Sequence, residues 1–352
     1  MELEKKEVNS YERAHIRDIA ISNRKIGLVI DDAMKEIARR FTTVKGKRFA
    51  GVMNERLAEL HDQILNNGKK EIRNQWMLAN EMNNKNIDGY LASVKVSDTM
   101  QKSFRAPNLS ALNAFIDRTE KKMNLSGRVW NLTNGAKGEI ENLLATGILE
   151  GKSARTTAKE MMKYLKGKPI EYKGTLLKGK NIEYQTIRIV ATEMNMAFRT
   201  SDYLQNNRLP FMTGITINLS PSHPEQDICD EMAGEYPKGF EFIGWHPFCI
   251  CYATYETIDK EDFINYIKTG EINQRQFTTA IPKRAQMYLD KNGARLLGYE
   301  NKPYWLENNF TDKLELRDVM QIPIMAEPVQ MVPEVAQWIP AKTIQRRSRH
   351  PV

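Results

Sequence analysis

The sequence predicts an α+β protein: a region of long helices, then a small domain with short antiparallel strands, then an extended C-terminal arm. In the first 125 residues, apolar side chains recur every three or four positions, which is the helical period. Beyond Arg208 they alternate every second position, which is the strand period. The last 30 residues hold five of the chain's 14 prolines, a density that neither a core helix nor a core strand tolerates.

Residues 1–105 are predicted to form a helical hairpin or bundle. Two segments carry apolar stripes with steps of three and four, formed by Ile26, Ile30, Met34, Ile37 and Phe41 and by Met53, Leu57, Leu60 and Ile64. Gly46 and Gly51 fall between the stripes and favour a break there. The stripes indicate a bundle that holds itself together, with an interface to a large oligomer as the alternative. Residues 95–108, which contain Pro107, are expected to form a loop.

Residues 106–182 are predicted to be a helical lead-in that contains a basic loop of Lys and Gly. Ser153 is a good N-cap for a helix that Gly167 and Pro169 end. Residues 151–188 include ten Lys or Arg and three Glu, which gives a net charge of 10 − 3 = +7. Lysines on such a loop suit phosphate neutralisation without sequence readout, and a solvated loop without a partner is the alternative. The candidate DNA contacts in this loop are Lys166, Lys168, Lys173, Lys178 and Lys180.

Residues 183–310 are predicted to form the α+β domain, which opens with a helix to about residue 206. Besides its apolar stripe, this helix has a polar stripe of Arg188, Thr192, Asn195 and Arg199. We expect that stripe to bond to the domain that follows, and phosphate contact by Arg188 and Arg199 is the alternative. Strands are predicted at 213–219, 240–243 and 249–255, followed by short helices that begin near Asp259 and Asp262.

All three cysteines of the chain fall within 23 residues, and two histidines lie in or beside this window. The candidate metal ligands are His223, Cys229, His246, Cys249 and Cys251, five side chains for the four positions that a zinc ion prefers. On a strand, Cys249 and Cys251 would point to the same side. Asp227 is placed to orient an imidazole from the second shell. The window therefore predicts a structural zinc site, with packed free cysteines or a catalytic metal centre as alternatives.

Several segments resemble the phage Mu F-like minor head proteins, a family of head morphogenesis proteins. The helix Arg188-Ile-Val-Ala-Thr-Glu-Met-Asn-Met-Ala-Phe-Arg199 is similar to that family's "RTE" helix. The stretch from Ser220 to Gly234, followed by His246-Pro-Phe-Cys-Ile-Cys251, is similar to its H…D-x-C-D…G…H-P-x-C-x-C ending. Residues 125–130 and 147–153 resemble its helical lead-in. The resemblance covers about residues 120–255.

The resemblance implies a non-enzymatic virion protein that is present in few copies inside the head near the portal. Its expected partners are the portal protein, the major capsid protein and double-stranded DNA bound without sequence specificity. It would aid assembly and genome packaging or ejection, and it would reside in the host cytoplasm during assembly. The arm, residues 311–352, ends in Arg346, Arg347 and Arg349, which are further candidate DNA contacts.

Composition narrows the function classes. The net charge of +8 and the sequence pI of about 9.1 are compatible with a polyanionic partner. The mean hydropathy of −0.55 and the lack of a long apolar run lead us to expect neither secretion nor membrane insertion.

Besides the virion protein, the second function class is a metal-dependent nuclease or a virion-delivered effector that acts on nucleic acid. A cellular zinc-containing DNA-binding regulator is a third, although no reading helix is recognisable.

Overall fold

The computed structural model describes residues 5–44, 47–92, 96–120, 122–150, 152–165, 182–221, 223 and 226–317. These residues form an α+β protein, as the sequence predicts. The helices are α1 (Lys5–Thr43), α2 (Lys47–Leu91), α3 (Asp98–Arg105), α4 (Leu109–Asp117), α5 (Leu125–Leu149), α6 (Ala154–Leu165), α7 (Ile182–Asn207), α8 (Ile228–Met232), α9 (Lys260–Thr269), α10 (Lys283–Leu297) and α11 (Tyr304–Asn309). The strands are β1 (Met212–Asn218), β2 (Gly234–Pro237) and β3 (Tyr252–Thr257).

Helices α1 and α2 form an antiparallel hairpin, and α7 packs against both of them. The register is visible in side-chain bonds that join Tyr11 to Glu81 and Lys25 to Glu71 across the two helices. The predicted apolar stripes face the inside of this bundle, where Ile26, Met53 and Ile64 are each 1% exposed. Helix α7 thus lies at the centre of the bundle, and its C-terminal end leads directly into the sheet.

Two sequence predictions for the helical region are wrong. Gly51 lies inside α2, because a helical glycine costs only about 1 kcal/mol relative to alanine and the apolar stripe continues past it. The expected loop at 95–108 contains the short helix α3. Ser97 caps that helix by accepting a hydrogen bond from the Met100 N–H at 3.3 Å, and Phe104 anchors it in the core.

The sheet has three antiparallel strands in the order β2-β1-β3. The predicted strand at 213–219 is confirmed as β1. The predicted strand at 240–243 is absent from the described residues, because the Glu241 backbone bonds to a side chain instead of a strand. Its N–H donates to Asn309 Oδ1 at 2.7 Å, and its carbonyl accepts from Asn309 Nδ2 at 2.9 Å.

Helices α8, α10 and α11 cover the sheet with a second apolar core, in which Trp245 meets Trp305 edge-on. The expected helix start at Asp259 is confirmed, since its carboxylate accepts from the Asp262 N–H at 2.8 Å and caps α9. No described helix is both long and apolar enough to cross a membrane. The basic loop, with its five candidate lysines, and residues 318–352 of the arm, with their three candidate arginines, lie outside the described residues.

Candidate metal centre

The first half of the cysteine window is held by a reciprocal cap at the start of α8. Asp227 Oδ1 accepts from the Cys229 N–H at 2.7 Å, and the Asp227 N–H donates to Asp230 Oδ2 at 2.8 Å. This exchange fixes the first turn of the helix. It leaves the Cys229 side chain fully buried, facing the second half of the window.

The second half is a loop, residues 246–251, that runs across the junction of the two cores. Phe248 has a φ of 62°, which is uncommon for a bulky residue, and its ring is buried in the core of the helix bundle. Cys249 and Cys251 are buried in the core of the sheet. The chain therefore turns sharply at Phe248, and this turn directs both cysteines towards Cys229.

The predicted strand at 249–255 starts later than expected, because β3 begins at Tyr252. Cys249 and Cys251 are thus not on a strand. Their carbonyl oxygens accept hydrogen bonds from Arg199 Nη2 at 2.7 Å and 2.6 Å, so a side chain takes the place of a strand neighbour.

The sulfur atoms lie at distances that suit one ion. Cys229 Sγ is 3.8 Å from Cys249 Sγ. Zn–S bonds of about 2.3 Å at tetrahedral angles would place two sulfurs about 3.8 Å apart. Ligand atoms of Cys229, Cys249 and His246 lie within 4.8 Å of one another, and so do those of Cys229, Cys251 and His223. The structure thus brings together all five side chains that the sequence predicts as candidate metal ligands. Cys229 belongs to both of these groups of three.

His246 presents one ring nitrogen to the cluster. Its Nδ1 lies 2.7 Å from the Pro247 carbonyl oxygen, which can only accept, so Nδ1 carries the proton. The other nitrogen, Nε2, then has a free lone pair, and it lies 3.1 Å from Cys229 Sγ and 3.2 Å from Asp227 Oδ2. A lone pair that faces a thiol and a carboxylate suits a shared cation, and the carbonyl is the usual partner of a metal-bound imidazole.

His223 is held from the other side by carboxylates. Its Nε2 lies 3.1 Å from Asp230 Oδ2 and 3.6 Å from Asp227 Oδ1. Although burial raises the pKa of Asp230, hydrogen bonds from the Asp227 backbone and from His223 bring it below its usual value. An ionised Asp230 accepts from Nε2, which leaves Nδ1 as the nitrogen that can bind a metal. Asp227 lies beside both imidazoles, as its predicted second-shell role requires.

In the absence of a cation the Cys229 thiol holds its proton, but the Cys249 thiol loses its proton more readily. Although burial raises the pKa of Cys249, hydrogen bonds from the Cys229 and Cys251 thiols bring it well below its ordinary value. The neighbouring thiols of Cys249 and Cys251, together with burial, raise the pKa of the Cys229 thiol far above its ordinary value. A divalent cation replaces such protons and favours the thiolates. The cluster is therefore arranged to bind a metal ion and to release protons when it does so.

Arg199 of α7 joins the 246–251 loop to the helix bundle. It is 4% exposed. Besides its bonds to the Cys249 and Cys251 carbonyls, its Nη1 lies 3.5 Å from the Ile243 carbonyl oxygen, and its guanidinium carbon lies 5.1 Å from the centre of the Phe242 ring. Sequence reasoning expected the polar stripe of α7 to bond to the following domain, and Arg199 does so. The alternative assignment of Arg199 as a DNA contact is wrong, because nucleic acid cannot reach a buried guanidinium.

A buried ion triad fixes the middle of the same helix. Glu193 is 1% exposed, and its two carboxylate oxygens each lie 2.9 Å from an arginine, Arg118 and Arg128. Burial of this carboxylate is tolerated because both partners are cations. Sequence reasoning did not identify the two arginines as its partners, because they come from separate segments. Arg188 lies on the exposed face of α7 and stays a candidate for DNA contact.

The candidate metal centre thus consists of three buried thiols and two largely buried imidazoles that α8, the 246–251 loop and α7 hold together. Comparison with known proteins finds no matching family model, no matching curated protein and no matching solved structure.

Proposed function

We propose that the cluster holds one structural zinc ion through Cys229, Cys249, Cys251 and one histidine. The convergence of three buried sulfurs and two imidazoles within ligand distance of Cys229 carries this proposal. Thiolates and imidazole are the ligands of structural zinc sites. Three thiolates and an imidazole fill the tetrahedron, so no position stays open for a reacting water.

We further propose that the protein is a non-enzymatic phage head morphogenesis protein of the Mu F-like kind. The support is the way in which the segments that carry the resemblance contact each other. Arg128 in the lead-in pairs with Glu193 in the helix, and Arg199 in the same helix bonds to Cys249 and Cys251. Three segments far apart in sequence thus act as one unit centred on α7, as expected if they are inherited together.

In this proposal the protein sits in few copies inside the head, near the portal. It contacts the portal protein, the major capsid protein and packaged double-stranded DNA. The DNA contact would use the basic loop, Arg188 and the arginines at the end of the arm. The net charge of +8 supports a phosphate partner, since Lys and Arg side chains neutralise backbone phosphates whatever the base sequence is.

Metal analysis of the purified full chain tests the zinc proposal. We expect one zinc per chain, and we expect Cys249→Ser to lower both the zinc content and the midpoint of thermal unfolding, because metal binding energy is folding energy in a structural site. Arg188→Ala, on the exposed face of α7, is the control that should leave both unchanged. A chain that is equally stable with and without a chelator would contradict a structural role.

A DNA retardation assay over a salt series, with and without Mg²⁺ or Mn²⁺, tests the functional class. We expect retardation that weakens with salt, with the DNA left intact. One observation favours the nuclease alternative, namely the grouping of His223, Asp227 and Asp230 within 4.8 Å. Both carboxylates already cap α8, which accounts for their position. Cleavage that needs the divalent ion and is lost in His223→Ala would overturn our assignment.

A further inference from the structure

The outward face of α1 carries a stripe that the bundle itself does not use. Its members recur at steps of three and four along the helix and are all exposed; they are Arg13, Arg17, Ile21, Arg24, Leu28, Asp32, Lys35 and Arg39. At 1.5 Å per residue the stripe is about 39 Å long. The opposite face of α1 fills the bundle core, so the stripe points away from it.

Two large aliphatic side chains lie in the N-terminal half of the stripe. Ile21 is 41% exposed and Leu28 is 59% exposed. They are seven residues apart, which places them two turns apart on one line, about 10 Å along the axis. A single exposed aliphatic side chain is ordinary. Two at heptad spacing match the pattern by which one helix packs on another.

The cations of the stripe nearest these aliphatic residues are arginines, and the adjacent Lys25 is paired with Glu71 of α2 at 3.4 Å. Among the described residues, no ion pair involves Arg13 or Arg24, and Arg17 has a contact of only 3.7 Å with its neighbour Asp18. Arginine is enriched in the centre of protein interfaces, where lysine is depleted. Its guanidinium pairs with carboxylates through two parallel hydrogen bonds. The combination of exposed arginines and aliphatic residues is therefore more typical of a protein–protein interface than of a surface that only confers solubility.

We propose that this stripe is a docking surface for an acidic amphipathic helix of another protein. Carboxylates on that helix would pair with Arg13, Arg17 and Arg24, while aliphatic residues at heptad spacing would pack on Ile21 and Leu28. A second copy of the same stripe would place arginines against arginines, which opposes self-association. Nucleic acid would use the arginines but would leave the aliphatic residues exposed to water. Since α1 supplies no candidate metal ligand, this surface does not depend on the zinc site.

The test measures binding of the full chain to two synthetic helical peptides that share a heptad pattern of Leu and Ile. One peptide has Glu and the other has Lys at the flanking positions. We expect the chain to bind the Glu peptide, to bind it less tightly as salt rises, and to prefer it over the Lys peptide. Equal binding of both peptides, or of neither, would overturn the proposal.

Two double variants and a matched control make the assignment specific. Arg17→Glu/Arg24→Glu should reverse the preference in favour of the Lys peptide, with an affinity change of about tenfold or more. Ile21→Ser/Leu28→Ser should weaken binding of either peptide. Met287→Ser/Lys291→Glu on α10, where Met287 is 70% exposed, is the control and should bind as the unaltered chain does. If the control lowers binding as much as the α1 variants do, the docking partner is not the one proposed.

Discussion

At the scale of single residues, the two histidines of the metal centre are not equivalent. His246 places Nε2 3.1 Å from Cys229 Sγ, and a backbone carbonyl fixes its tautomer. His223 Nε2 lies 3.1 Å from Asp230 Oδ2 and 3.6 Å from Asp227 Oδ1, so this nitrogen is already engaged by carboxylates. We therefore propose His246 as the fourth ligand and His223 as part of the polar shell around the ligands.

This assignment predicts unequal effects of two alanine variants. His246→Ala should weaken zinc binding by more than about 100-fold, since a direct ligand is lost and loss of an outer-shell partner alone costs about 10-fold to 100-fold. His223→Ala should retain one zinc per chain with a smaller loss of affinity. Competition with a chromophoric chelator measures both. A larger loss for His223→Ala would exchange the two roles.

The sequence identified the five side chains that the structure brings together, but not the backbone that presents them. The clustering of all three cysteines was visible in the sequence because thiols and imidazoles at short spacing are a compositional signal. The turn at Phe248 was not visible, because its cause is the packing of that ring in the helix bundle, which no local pattern records. For the same reason the sequence does not decide between the two roles of Arg199, whereas its burial in the structure does.

At the scale of elements, α7 connects the helix bundle, the lead-in and the 246–251 loop. Removing the guanidinium of Arg199 would leave the carbonyls of Cys249 and Cys251 buried without their donor. It would also remove the cation that lowers the pKa of the buried carboxyls of Glu12 and Asp202, which burial raises.

Arg199→Leu is therefore expected to destabilise the fold by about 3–5 kcal/mol, the usual cost of breaking a buried charge network. Arg188→Leu, on the exposed face of the same helix, should change stability by less than about 0.5 kcal/mol. Urea unfolding of the zinc-loaded chains measures both. Similar midpoints for the two variants would contradict the role of Arg199 as the link.

Elements with a regular period of apolar residues are predictable from the sequence, and elements whose conformation depends on tertiary contacts are not. α7 and β1 keep their helical and alternating patterns over 26 and 7 residues, so their bounds were predicted to within one or two positions. The segments at 240–243 and 249–251 have strand-like composition. There, Asn309 and Arg199 supply the hydrogen bonds that a strand neighbour would otherwise make.

At the scale of the whole molecule, buried carboxyl groups link stability to pH. Burial raises the pKa of Glu12 to about 8 and that of Asp202 and Glu241 to about 7. A folded-state pKa above the unfolded value means that the native protein binds more protons between those two values. The stabilisation is fully present below about pH 4 and is lost as pH rises through about 7 to 8.

Glu241→Gln tests this link, because the amide cannot ionise and can still accept a hydrogen bond from Asn308 Nδ2. The variant should gain stability over the unaltered chain by on the order of 1.5 kcal/mol as pH rises from 6 to 8.5, because the rest of the difference for a shift of this size arises below pH 6. Glu261→Gln, an exposed site on α9, should show no such gain. Thermal melts of the three proteins at matched zinc saturation measure it, and parallel pH profiles would count against a buried ionisable Glu241.

The candidate metal centre lies where the two cores meet, since Phe248 belongs to the bundle core and Cys249 and Cys251 belong to the sheet core. Zinc K-edge X-ray absorption of the purified full chain tests this account most directly. We expect one zinc per chain with about three sulfur ligands near 2.3 Å and one nitrogen near 2.0–2.1 Å. A chain without stoichiometric metal, or a shell of nitrogen and oxygen alone, would contradict it.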